Sequence, residues 1–177
     1  MFVLVSNTNI MPDRSTEFLN ESVNELKKYK KLAEKAFAQL HTDDEMHWQP
    51  GVESNSLAIL IKHLRGNMLS RWTDFLTTDG EKPTRGRDEE FVEHRENKEE
   101  LMNLWEEGWQ CMFDTLASLD ENDFDKTITI RNEPHTIIQA ILRQIMHYSQ
   151  HIGQIIYIVK MIRNDDWQTL SIPRKKV

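Results

Sequence analysis

His147 and His151 stand one helical turn apart in Ile145-Met146-His147-Tyr148-Ser149-Gln150-His151-Ile152-Gly153-Gln154, within the most apolar stretch of the chain. A spacing of four places both imidazoles on one helix face, about 6 Å apart along the axis, a separation that two ligands of one metal ion can span. Neutral imidazole nitrogen suits zinc, nickel, copper or ferrous iron far better than calcium or magnesium. With 7 histidines in 177 residues, chance supplies roughly 0.3 pairs at this spacing, so the spacing alone decides little. The setting carries more. Ile137, Ile138, Ile141, Leu142, Ile145 and Met146 precede the pair, and Ile152, Ile155, Ile156, Ile158 and Val159 follow its second member or flank it. Burying an imidazole without a partner costs on the order of 1 to 3 kcal/mol. Metal ligation, hydrogen bonding inside a core and an exposed pair are the three competing readings.

Three protein ligands and an open position are the usual layout of a catalytic zinc site, so a third histidine is needed from another element. His63 is the best placed, on a predicted helix in an apolar setting. His94 lies among Glu93, Arg95 and Glu96 and reads as solvated; His41 and His47 flank a loop, and His135 lies near a turn. Gln144, Gln154 and Asn67 are candidates to orient a substrate or fix a ring tautomer, and Arg71, Arg85 or Arg87 to hold a substrate carboxylate. Each also has an ordinary reading as a surface or packing polar group.

Four long helical patterns must position these residues. The first runs from Thr16 to Leu40, with Phe18, Leu19, Val23, Leu26, Ala33 and Phe37 on its apolar stripe. A loop containing Pro50, Gly51 and Ser54 leads to a second helix over Ser56–Thr77, capped by Ser54, Asn55 or Ser56. Gly66 in its interior costs about 1 kcal/mol relative to alanine. It either leaves room for a ligand or permits close helix packing. Thr78–Asn97 is a long charged connector, a kind of segment that is often functional. A third helix spans Lys98–Leu119 and holds Cys111, read as a small buried hydrophobe. Thr127-Ile128-Thr129-Ile130 predicts a short strand turned at Asn132-Glu133-Pro134, and the last helix spans Thr136–Asn164.

On that last helix His147 and His151 share a face with Ala140, Gln144, Gln154 and Ile158, while Ile138, Ile145, Ile152 and Ile156 crowd the opposite face. A helix apolar on both sides must be covered on both, and a four-helix bundle covers one side well. The expectation is a homodimer with this helix near the interface; a central position within one chain is the alternative. The whole, residues 1–177, reads as one domain, with 1–15 an irregular N-terminal extension.

Composition excludes several classes of function. A net charge of -7 without a long basic run argues against nucleic acid as a partner. No run approaches the roughly 20 apolar residues that span a bilayer. Cys111 is the only cysteine, so an intrachain disulfide and a cysteine-rich zinc site are both excluded. The apolar opening Met1–Val5 lacks a basic n-region and a cleavage site, and a cytoplasmic location is expected.

The stretch His147-Tyr148-Ser149-Gln150-His151-Ile152-Gly153-Gln154-Ile155 resembles the final-helix signature of the DinB/YfiT-like proteins. Trp48 to Leu64, ending in Ile61-Lys62-His63-Leu64, resembles their second-helix entry with its histidine. Gly66-Asn67, Arg71 and the connector containing Asp79-Gly80-Glu81-Lys82-Pro83, Arg87, Asp88, Glu90 and Phe91 resemble a bacterial subgroup of that family without an assigned reaction. The resemblance implies an all-α, up-down four-helix bundle, commonly dimeric, holding a divalent metal, zinc or nickel foremost and iron as an alternative, through histidines that match His63, His147 and His151. Characterised relatives include thiol-dependent transferases and isomerases that use bacillithiol, mycothiol or glutathione, and their reaction does not carry over to this subgroup. An open position on a three-histidine metal, where a bound water or thiol would ionise near neutral pH, predicts a hydrolase or a thiol transferase acting on a small molecule. A non-catalytic metal- or ligand-binding homodimer linked to stress is the competing reading.

Overall fold

The computed structural model describes residues 14–173 and is mostly helical. Five α-helices, α1 (Arg14–Phe37), α2 (Asp43–Met46), α3 (Leu57–Trp72), α4 (Lys98–Ser118) and α5 (Ile137–Arg163), are joined by a two-stranded hairpin, β1 (Thr127–Ile130) and β2 (Glu133–Thr136). Four of the helices are long, as the periodicity predicts. Residues 1–13 fall outside the described part, whereas Arg14 and Ser15, expected in an irregular extension, open α1. None of the described helices is long and apolar enough to cross a membrane.

Local chemistry sets the helix starts. The Ser56 hydroxyl accepts from Ile59 N at 3.1 Å and begins α3, while Asn97 with Glu100 and Thr136 with Gln139 form reciprocal capping boxes at α4 and α5. A further box, Thr42 with Glu45, nucleates α2 inside the segment read as loop. At the other end α3 stops at Trp72, short of Thr77, because Thr73 turns extended with ψ of 129° and Asp74 then takes a left-handed φ of 49°.

The helix covered on every side is α3. Twelve of its 16 residues are buried, packed between α4, α5 and the 3-10 turn of the connector at Asp88–Phe91. Leu57, Leu60, Ile61, Leu64, Met68 and Trp72 fill the core from this helix, and Trp105, Trp109 and Tyr148 meet them from α4 and α5. Trp72 Nε1 donates to the Tyr148 hydroxyl at 2.9 Å, so the aromatic centre of the core carries a satisfied polar pair. By contrast α5 lies on α1 and α3 with one face uncovered in the single chain: Leu142, Met146 and Tyr157 are 45, 67 and 65 % exposed. The central position weighed for the last helix thus belongs to α3. Cys111, read as buried, is half-buried, with Sγ 3.7 Å from the Thr73 hydroxyl.

The hairpin turns at Arg131 and Asn132, with φ of 56° and 62°, so Glu133 and Pro134 belong to β2 rather than to the turn. Two successive left-handed residues match the twist of the strands, and asparagine tolerates the conformation better than arginine. Asp79 of the connector holds this turn in place. Its carboxylate accepts from Arg131 N at 2.9 Å, Asn132 N at 2.7 Å and Glu81 N at 2.7 Å. Burial pushes the Asp79 carboxyl up, but the backbone donors outweigh it and hold it at about 2, below the ordinary 3.8. A depressed folded-state pKa gives stability that is present above about pH 4 and is lost as the pH falls through about 2. Asp79→Asn is therefore expected to lower stability at pH 7 by about 1–2 kcal/mol, after allowance for solvent screening. Urea midpoints of the two proteins should converge between pH 4 and pH 2.5; a constant offset across that range would refute the electrostatic account.

Candidate metal centre

Three imidazoles converge where α3 faces α5. His63 shares a stripe of α3 with Asn67 and Arg71 at successive steps of four, and His147 and His151 come from the facing turns of α5. His147 Nε2 is 3.4 Å from His63 Nε2 and 3.1 Å from His151 Nε2, and the three ring nitrogens lie within 4.8 Å of one another. His63 is buried and the other two rings are half-buried.

The far side of each outer ring fixes its tautomer. His63 Nδ1–H donates to Glu90 Oε2 at 2.9 Å, and His151 Nδ1–H donates to Gln154 Oε1 at 2.7 Å. In the neutral rings both Nε2 atoms are then lone-pair acceptors, and both point at His147 Nε2. One proton on His147 Nε2 can serve only one of them. Burial, reinforced by repulsion from His151 and His63, drives the His147 pKa down to about 3, and burial also lowers that of His151 despite the opposing bond to Gln154. The two rings of α5 therefore resist solving the problem by protonation. Its nitrogen spacing fits a tetrahedral transition metal, whose ligands at about 2.0–2.1 Å stand about 3.3 Å from one another. The donor set fits zinc, nickel or ferrous iron, and zinc and nickel do not need a thiolate here.

Glu90 is the residue that the sequence reading left without a role at the site. It is buried in the connector's 3-10 turn, where Arg85 grips it through Nε to Oε1 at 2.7 Å and Nη2 to Oε2 at 2.8 Å. Burial opposes its ionisation, and the donors His63 and Arg85 overcome that and hold its pKa below the usual carboxylate range. Gly66 makes the arrangement possible. A Cβ there would stand 2.0 Å from Glu90 Oε1, so the interior glycine serves a carboxylate behind a histidine rather than helix packing. Phe91 closes the adjoining side, with its ring 5.3 Å from that of His63.

The remaining candidates divide. Asn67, Arg71, Arg85, Arg87 and Gln144 border one cavity of about 480 Å³ with the three rings, while Gln154 stands behind His151. His47 is bound elsewhere, through Nδ1 to Glu93 at 2.6 Å and Nε2 to the Glu96 carbonyl at 2.8 Å, which pins α2 to the connector and uses both of its nitrogens. His41 and His94 are exposed, and His135 sits in β2 with Nδ1 on the Glu133 carbonyl. A larger cavity of about 690 Å³ opens on the other side of Arg85 and Glu90, and none of the three rings borders it.

The sequence profile of a family described as "Protein of unknown function (DUF1572)" matches residues 13–176. The chain belongs to that family. A solved structure described as "Crystal structure of the conserved protein of locus from Enterococcus faecalis" is similar to this DUF1572 protein with a TM-score of 0.60, over 81 % of this chain and 95 % of that one. At 18 % identity the likeness is one of fold. No curated protein matches the sequence.

The role of Gly66 has a measurable consequence for this DUF1572 protein. In a helix interior, glycine to alanine ordinarily stabilises by about 1 kcal/mol. Gly66→Ala is instead expected to destabilise by about 1–3 kcal/mol, since the methyl displaces Glu90 from Arg85 and His63. A urea midpoint equal to or above that of the parent would show that Glu90 leaves without loss.

Proposed function

We propose that this protein is a divalent-metal-dependent enzyme of the DinB/YfiT-like type, with His63, His147 and His151 as ligands and an open coordination position. The observation that carries the reading is the convergence of three Nε2 atoms at 3.1 and 3.4 Å while the Nδ1 atoms of His63 and His151 are already engaged. Metal-binding histidines commonly donate their second nitrogen to a carboxylate or carbonyl in this way. The order of the long helices, with the histidines on the second and the last of them, agrees with the DinB-like bundle.

A zinc or nickel ion held there supplies a Lewis acid that favours the ionised form of a water or thiol in its open position. The chain's own groups do the rest. Glu90 raises the basicity of His63 through its Nδ1–H, and Gln154 fixes the ring plane of His151. Arg85 keeps Glu90 ionised at that post. Among the described residues no aspartate or glutamate borders the cavity, so none of them is at hand there as a general base. That favours a low-molecular-weight thiol as co-substrate over hydrolysis, because a thiol ionises far more readily than water.

The assembly proposed is a homodimer through α5. Ile138, Leu142, Met146, Tyr157 and Met161 line its open face, and Gly153 among them has nothing within 4 Å of where a Cβ would stand. A helical glycine with no neighbour among the described residues leaves room there for the close approach of a second copy.

Protein purified without a histidine tag is expected to carry about one zinc- or nickel-type ion per chain by elemental analysis, and His63→Ala, His147→Ala and His151→Ala each to lose it. Glu90→Gln should retain the ion with an affinity lowered about 10- to 100-fold. Turnover of electrophiles with added thiols should vanish with the metal; a metal-loaded protein inert to electrophiles with thiols, and to esters and amides without them, would leave a binding module in place of an enzyme. Leu142→Glu with Met146→Glu should sediment as a monomer where the parent sediments as a dimer.

A further inference from the structure

The cavity beside the histidines reverses the sign of the chain. Against a net charge of -7, its border carries Arg71, Arg85, Arg87, Arg131 and Arg143 and, among the described residues, no acidic one. Glu90 and Glu81 lie behind Arg85, and Glu81 also pairs with Arg131. Arg87 and Arg143 have no carboxylate partner among the described residues. Five guanidinium groups against two carboxylates leave three positive charges uncompensated around a space of small-molecule size.

The floor of the cavity is more telling than its charge. Arg71 is only 3 % exposed, yet its nearest carboxylate oxygen, on Glu81, stands 3.9 Å from Nη2, and its Nε and Nη1 have no hydrogen-bond partner. Asn67 and Gln144, 6 and 2 % exposed, each keep a side-chain oxygen without a donor. Buried polar groups are normally satisfied, and three unsatisfied ones bordering a single cavity mark a place prepared for something else. Their order is informative. Asn67 and Arg71 follow His63 by one and two turns on α3, and Gln144 precedes His147 by one turn on α5. A molecule anchored on Arg71 therefore passes Asn67 and Gln144 on its way toward the three rings.

We propose that this cavity binds a small organic oxyanion, a carboxylate or phosphate, that carries a hydroxyl or amine donor close to its anionic group. Arg71 receives the oxyanion, and Asn67 and Gln144 accept from the donor. The inference rests on the reading of this cavity as the site of the protein's chemistry, and it adds the substrate class. Arg71 sets affinity because its contact is desolvated, whereas Arg87 and Arg143 on the exposed rim attract the anion from solution and make its capture depend on salt.

Calorimetric titration of the full chain, both metal-free and zinc-loaded, with acetate, glycolate and glycerol 3-phosphate tests this. Glycolate or glycerol 3-phosphate is expected to bind, the preferred one telling carboxylate from phosphate, and acetate, which lacks the donor, to bind about tenfold more weakly. Arg71→Met should weaken binding about tenfold or more, with its fold checked by circular dichroism. Arg143→Glu, on the exposed rim, should weaken it several-fold at low salt and less at high salt. Equal binding by the parent and a folded Arg71→Met, or binding indifferent to Arg143→Glu at every salt concentration, would overturn the proposal. Metal content, read alongside, separates the two readings. Anion binding by a protein that takes up no zinc would fail the metal centre alone, and a zinc-loaded protein blind to all three anions would fail the anion site alone.

Discussion

The contact on which the rest depends is the Glu90 carboxylate wedged between the guanidinium of Arg85 and the ring of His63. A buried carboxylate is tolerable only with its charge matched and its lone pairs occupied, and here two parallel bonds from Arg85 and one from His63 do both. The same atoms perform three tasks. They fasten the long connector to α3, they choose the tautomer of His63, and they require a glycine at position 66. Removing Arg85 leaves a buried carboxylate uncompensated and removing His63 leaves it an unmet lone pair, so the connector and the histidine cluster hold together as one unit.

That arrangement depends in turn on α3 being buried all round. A helix with one wet side can turn its polar residues outward. Buried between α4, α5 and the connector, α3 instead carries His63, Asn67 and Arg71 inside, on one stripe among its apolar residues. His63 is satisfied by Glu90, whereas Asn67 and Arg71 keep unmet hydrogen-bonding groups at the cavity. The apolar majority, from Leu57 to Trp72, absorbs the expense of that polar minority.

What could be read in the sequence follows from the range of the interactions involved. His147 and His151 are four apart on one helix, the caps at Ser56, Asn97 and Thr136 act within three residues, and Ile128 and Ile130 alternate in a strand; all of these are local signals. Glu90 reaches His63 across 27 positions and Asp79 reaches Asn132 across 53, and no periodicity encodes either contact. Gly66 was the one local trace of the first, a helix-interior glycine one turn from a histidine, though its meaning required the partner to be seen. Which side of α5 stays open within one chain was equally out of reach of local signals. Isoleucines crowd both sides of α5 in the sequence, but packing against α1 and α3 buries Ile141, Ile152 and Ile155 and leaves Ile138, Leu142 and Met146 open.

The proposed metal and the proposed anion are physically coupled. Three neutral imidazoles with converging lone pairs draw a cation, while the uncompensated arginines around them repel it. An oxyanion on Arg71 removes part of that repulsion, and a divalent ion at the rings strengthens the field that holds the oxyanion. Each ligand must then raise the affinity for the other by the same factor, since coupling between two binding equilibria is reciprocal. The sign of the charges around the cavity fixes the direction of that coupling. The distance between Arg71 and the rings, two turns of α3 from His63, keeps the two ligands apart and limits its strength.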